Sequence, residues 1–131
     1  MAGPLIRSFD RSDTEHLPVR VFRDSAAASA QVAAEIAQLI RERQKEGRQA
    51  VLGLATGSTP LGVYEELVRL HQHERLSFAN VVTFNLDQYW PMDPGDLQSY
   101  RRFMRENLFD RVDIDQRHTH VPDGACLADA V

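Results

Sequence analysis

The strongest constraint on this chain is a pair of short apolar runs, Ala50–Ala55 (AVLGLA) and Asn80–Leu86 (NVVTFNL), set one helix length apart. Short, nearly continuous apolar runs suit parallel strands buried on both faces. Between them Leu61, Tyr64, Leu67 and Val68 recur at helical spacing. Parallel strands need a crossover rather than a hairpin, so the three segments form a β-α-β unit. The alternation continues on both sides. VRVFR (19–23) alternates apolar and basic residues, the pattern of an edge strand. Ser25–Glu46 reads as a helix, capped by Asp24 or Ser25, ended by Gly47, with Val32, Ile36, Leu39 and Ile40 on one face. Asp96 is placed to cap another helix carrying Leu97, Tyr100, Met104 and Leu108, and HTHVP (118–122) reads as a last short strand. The order β-α-β-α-β-α-β predicts an α/β fold, a doubly wound parallel sheet in a three-layer α/β/α sandwich. Residues 1–18 are mixed and polar and read as an arm. The sequence stops just after its last strand, so the expectation is an incomplete domain.

Composition narrows the function. The chain has 131 residues, 43% of them hydrophobic, and a net charge of −4. That supports one core and offers no basic patch, so a nucleic-acid partner is not expected. Arg101, Arg102 and Arg105 read as a solvated helix face. No apolar run approaches the roughly 18 residues of a membrane span, so no membrane partner is expected. The start, MAGPLIRSFDRSD, is not a secretory signal. Cys126 is the single cysteine, which fits a reducing compartment and a cytoplasmic location, and reads as an inert thiol.

The chemistry concentrates at two strand ends. In an open parallel sheet, ligands bind outside the carboxyl ends of the strands. Thr56, Gly57, Ser58 and Thr59 end the first apolar run, and Asp87 ends the second. If the two strands are neighbours, the turn and the acid share one rim. The turn offers hydroxyls and free backbone N–H groups at a helix start, with Thr59 as N-cap and Pro60 at the first helical position. Gly57 permits a close approach or a positive φ. Such a turn suits an anion, each hydrogen bond to a charged phosphate contributing about 1.5–3 kcal/mol. It matches neither the Walker lysine loop nor G-x-G-x-x-G. A plain capped βα turn is the other reading of the same pattern. Asp87, between an apolar strand and Tyr89–Trp90, suits a general base in apolar surroundings, or else a loop acid capping an N–H. Together, turn and acid favour a phosphorylated substrate and proton transfer. His118 and His120 share a strand face but lack a third ligand, so metal-free chemistry without a cofactor is expected.

Four segments carry a resemblance: VLGLATGSTPLGVYEEL (51–67), SFANVVTFNLDQYW (77–90), LQSYRRFMRENLFDRVDI (97–114) and HVPDG (120–124). They resemble the N-terminal half of the glucosamine-6-phosphate deaminase (isomerase) family, in order and spacing, from about Val19 to Gly124. The Thr-Gly-Ser-Thr-Pro turn is shared with 6-phosphogluconolactonases and related sugar-phosphate sensors. TFNLDQY followed by QSYRRFM is more specific to the deaminases. The resemblance implies a doubly wound three-layer fold for residues 19–131 as the N-terminal part of the domain. It implies conversion of glucosamine 6-phosphate and water to fructose 6-phosphate and ammonia. By the same match Asp87 moves the proton from C2 toward C1, the Thr56–Thr59 turn holds the 6-phosphate, and Tyr100 lies against the sugar. Gln88 stands where the family usually has Glu. The loop WPMDPGDL resembles a longer-chain subgroup with a fused domain. The ring-opening histidine, its acidic partners and a basic phosphate ligand are expected beyond Val131. The fragment alone is therefore expected to be inactive, and the full-length parent to be a homo-oligomer. The rival readings are a lactonase-like hydrolase and a non-catalytic sensor. The 18 residues ahead of the first strand are too few for the DNA-binding domain such sensors carry.

Overall fold

The computed structural model describes residues 17–126, so the expected arm falls, but for its last two residues, outside the described residues. The elements are α1 (Ser25–Lys45), β1 (Ala50–Leu54), α2 (Leu61–Glu74), β2 (Val81–Asn85), α3 (Tyr100–Asn107) and β3 (Thr119–His120). Two short 3-10 turns, Phe109–Arg111 and Gln116–His118, lie between α3 and β3.

The strands form one parallel sheet in the order β1-β2-β3. Ala50 pairs with Val81 and Leu54 with Asn85, so β1 and β2 end level with each other. Side chains alternate across a strand, and burial follows that alternation along β1, while in β2 Val82 is buried as well. Ala50, Leu52, Leu54, Val81 and Thr83 are buried on one face. Ala33, Ala37 and Ile40 of α1, Leu67 and Val68 of α2, and Met104 of α3 join them in a single core. Strands added in one direction by crossovers of one hand place their helices on one face, which is the arrangement here. The opposite face is open among the described residues: Val51 is 60% and Phe84 49% exposed, and Phe84 stacks on His120 at 4.6 Å. The sheet and the helices of one layer are thus present, and the third layer of the expected sandwich is not among the described residues.

Local chemistry explains most element boundaries. Asp24, with extended backbone, accepts from the Ala27 N–H at 2.8 Å and caps α1 as expected. Gly47 follows its end at φ 67°. Four expectations are corrected. VRVFR does not form a strand; only Val21 makes an isolated bridge. Its valines stay exposed, and Arg20 instead pairs with Glu35 on α1 at 2.5 Å. On α1 the expected face holds at Ile36, Leu39 and Ile40 but not at Val32, which is 41% exposed; Ala33 and Ala37 are buried there instead, and their small size lets α1 lie close against α2. Thr59 does not cap α2; the helix starts after Pro60 without a side-chain capping bond. Asp96 does not cap α3 either. Ser99 does, accepting from the Arg102 N–H, and Leu97 lies outside the helix with 81% exposure.

The end of β1 is fixed from beneath. The Tyr64 hydroxyl donates to the Ala55 carbonyl, and Asn85 Nδ2 donates to the Leu54 carbonyl at 3.2 Å. Burial pushes the Tyr64 phenol up to about 12. In the unfolded chain the phenol titrates near 10. A folded pKa above the unfolded one gives stability that is complete below pH ~10 and is lost as pH rises toward ~12. Tyr64→Phe should cost about 0.5–1.5 kcal/mol at neutral pH, and its urea-unfolding stability should decline less steeply across that alkaline window. Parallel declines in the two proteins would refute the assignment.

Candidate active site

The turn that leaves β1 and the loop that leaves β2 lie side by side, because the register holds Leu54 opposite Asn85. Gly57 has φ 99°, and a Cβ placed on it would touch nothing within 4 Å. Its glycine is therefore required by backbone conformation rather than by space. Ser58 and Thr59 are exposed, and Thr56 is half-buried. Since α2 carries no side-chain cap, the Ser58 and Thr59 hydroxyls are not spent on capping, and a helix start leaves N–H groups without intrahelical partners.

Asp87 is exposed, so the apolar surroundings expected for it are not present among the described residues. A neighbour in this region comes from α3. Tyr100 is half-buried, and its ring lies 4.9 Å from that of Tyr89. The Tyr100 phenol is raised above its ordinary pKa, first by the Tyr89 hydroxyl beside it and then by desolvation. Thr56 acts in the opposite direction, and Asp87 adds a repulsive contribution. Tyr100 thus sits between the turn and the acid, within the influence of both. The register puts the Thr56–Thr59 turn and Asp87 on one rim, with Tyr100 near enough to feel Thr56 and Asp87. The three arginines of α3 divide: Arg102 pairs with Glu106 at 2.7 Å and Arg105 with Asp110 at 3.3 Å, as a solvated face would, while Arg101 donates to the Val121 carbonyl.

Several contributors carry no local sequence signal. Tyr89 supports Tyr100, and Tyr64 and Asn85 hold the strand end beneath the turn. Gly124, in the segment after β3, presses against the Asp87 loop: a Cβ there would stand 2.5 Å from the Tyr89 carbonyl oxygen and 2.8 Å from Met92 Cβ. The same contact is tied by Met92 N–H to the Gly124 carbonyl at 2.7 Å and by Trp90 Nε1 to the Cys126 carbonyl at 2.8 Å. Gly124→Ala should therefore displace the loop and cost about 1–3 kcal/mol. Trp90 is the single tryptophan, so its indole N–H resonance reports the change; a spectrum and melting curve like those of the parent would contradict it.

The family of glucosamine-6-phosphate isomerases/6-phosphogluconolactonase matches residues 23–130. A glucosamine-6-phosphate deaminase of Cellvibrio japonicus is 46% identical over 104 residues, 79% of this chain and 38% of its own length. A glucosamine-6-phosphate deaminase-like protein of Bacteroides thetaiotaomicron is 40% identical over 117 residues, 89% of this chain but 18% of its own length. Among solved structures, a monomeric glucosamine-6-phosphate deaminase superposes with a TM-score of 0.75 at 38% identity, over 80% of this chain and 42% of that one. A 6-phosphogluconolactonase of Thermotoga maritima, 24% identical with a TM-score of 0.68 over 83% of this chain and 47% of that one, shares the fold. The chain therefore spans less than half the length of each of these relatives, and on its sequence match and its fold it belongs to the glucosamine-6-phosphate isomerase/6-phosphogluconolactonase family.

Proposed function

We propose that this chain supplies the phosphate-holding and proton-moving half of a glucosamine-6-phosphate deaminase site. The reaction is conversion of glucosamine 6-phosphate and water to fructose 6-phosphate and ammonia. One observation carries the reading: β1 and β2 end level, with Leu54 opposite Asn85, so the Thr56 turn and the Asp87 loop leave the sheet on a single rim. The Thr56–Thr59 turn anchors the phosphate through hydroxyls and backbone N–H groups. That anchoring fixes the far end of an open-chain sugar, and orientation of this kind accounts for a large share of catalysis. Asp87, at the end of β2, then carries the proton between C2 and C1, and Tyr100 packs against the sugar. Lactone hydrolysis needs no such aldose–ketose base, which favours the deaminase over the lactonase reading.

No helix among the described residues is long and apolar enough to cross a membrane, and a cytoplasmic location fits a sugar-phosphate substrate. Assembly does not follow from family membership, since a solved deaminase with this fold is monomeric. In a protein of the relatives' length carrying this segment, Asp87→Asn should lower ammonia release by about 10²–10⁴ or more and leave phosphate binding unchanged. Undiminished turnover would remove Asp87 from its role as base. The 131 residues alone should bind phosphate without releasing ammonia, and ammonia release by that chain would overturn the half-site reading.

A further inference from the structure

Gln88, next to Asp87 in the chain, ties together segments that meet only at this rim. Its Oε1 accepts from the Tyr89 N–H at 3.1 Å and from the Tyr100 N–H at 3.0 Å. Its Nε2 donates to Ser99 Oγ at 3.3 Å, and Ser99 is fully buried. Its Cγ lies 2.9 Å from the position a Cβ on Gly124 would take, so the stem runs close against the Gly124 backbone. The loop after β2 is thereby closed onto the first residue of α3, with Asp87 on one side of the closure and Tyr100 on the other. We infer that Gln88 is a positioning residue, whose amide fixes Asp87 and Tyr100 in one relation to each other and to the Thr56 turn. The purpose of that relation rests on the deaminase reading; the clasp itself does not.

The clasp has a definite chemical requirement. Oxygen at the end of the side chain must accept two N–H groups, at the reach of Gln. A Glu meets that requirement with both N–H groups, and the Ser99 hydroxyl can turn to donate to it. Asn keeps the amide but is one methylene too short. A residue that served only to fill space would tolerate Met, which keeps the length and lacks the amide.

The test uses the 131-residue chain and the cross-relaxation between the Tyr89 and Tyr100 rings, whose centroids are 4.9 Å apart. Gln88→Asn should lose this signal with the fold retained, and Gln88→Glu should keep it. Should Gln88→Asn not fold, Gln88→Met, which keeps the length and lacks the amide, takes its place in the same measurement. A signal kept by Asn or Met, or lost by Glu, overturns the inference. In a protein of the relatives' length, Gln88→Asn should reduce kcat by about 10²-fold, the scale of a small misplacement, with little change in KM for glucosamine 6-phosphate. Gln88→Glu should restore most of the rate, and an unchanged kcat for Gln88→Asn counts against the role. If the parent of that length releases no ammonia at all, the deaminase reading fails, and the ring signal still decides the clasp.

Discussion

Everything at the rim depends on one parallel pairing. Because β1 and β2 run the same way in level register, with Leu54 opposite Asn85, their carboxyl ends stop together. The turn on one strand and the acid on the other then become neighbours without any contact of their own. The pairing is locked at its last step, where Asn85 Nδ2 reaches across to the Leu54 carbonyl. Tyr64 secures the next carbonyl from the helix side. Slipping β2 by one residue against β1 would turn Asn85 to the open face and take Asp87 out of level with Thr56. The sheet is small, yet its register determines where the chemistry can occur.

From this base the site is assembled in layers of decreasing local character. The turn at Gly57 is set by its own backbone, through a positive φ. Tyr100 is placed by a helix start that Ser99 caps. The Asp87 loop has no regular structure between Leu86 and Ser99, so it takes its shape from partners: Ser99 and Tyr100 on one side, Gly124 and Cys126 on the other. An exposed acid on such a loop would ordinarily sample many positions. Clasps at both ends hold it to the scaffold, as its proposed proton-moving role requires.

Legibility followed the range of the interaction. β1, β2, α1 and α2 were readable because periodicity and apolar runs are local, and so was the shared rim, which follows from topology. VRVFR misled because alternation alone cannot supply a strand to pair with. The face of α1 was readable at Ile36, Leu39 and Ile40 and misled only at Val32, where Ala33 and Ala37 take the closest approach. Asp96 and Ser99 both offer cap chemistry, and the choice between them is made by Gln88, twelve positions before Tyr100. The Trp90–Cys126 tie spans 36 positions. Neither leaves a mark in its own neighbourhood, so neither Gln88 nor Gly124 could be singled out for these contacts.

The open face of the sheet has a consequence of a different kind. Val51, Phe84 and Leu86 stand 60%, 49% and 81% exposed there among the described residues. Apolar surface of that sort attracts other apolar surface in water. While it stays uncovered, this segment behaves as a sticky half-domain whose solubility is set by how soon, and by what, the face is covered. Colloidal behaviour, rather than unfolding, is then the first thing to suffer whenever the segment stands alone.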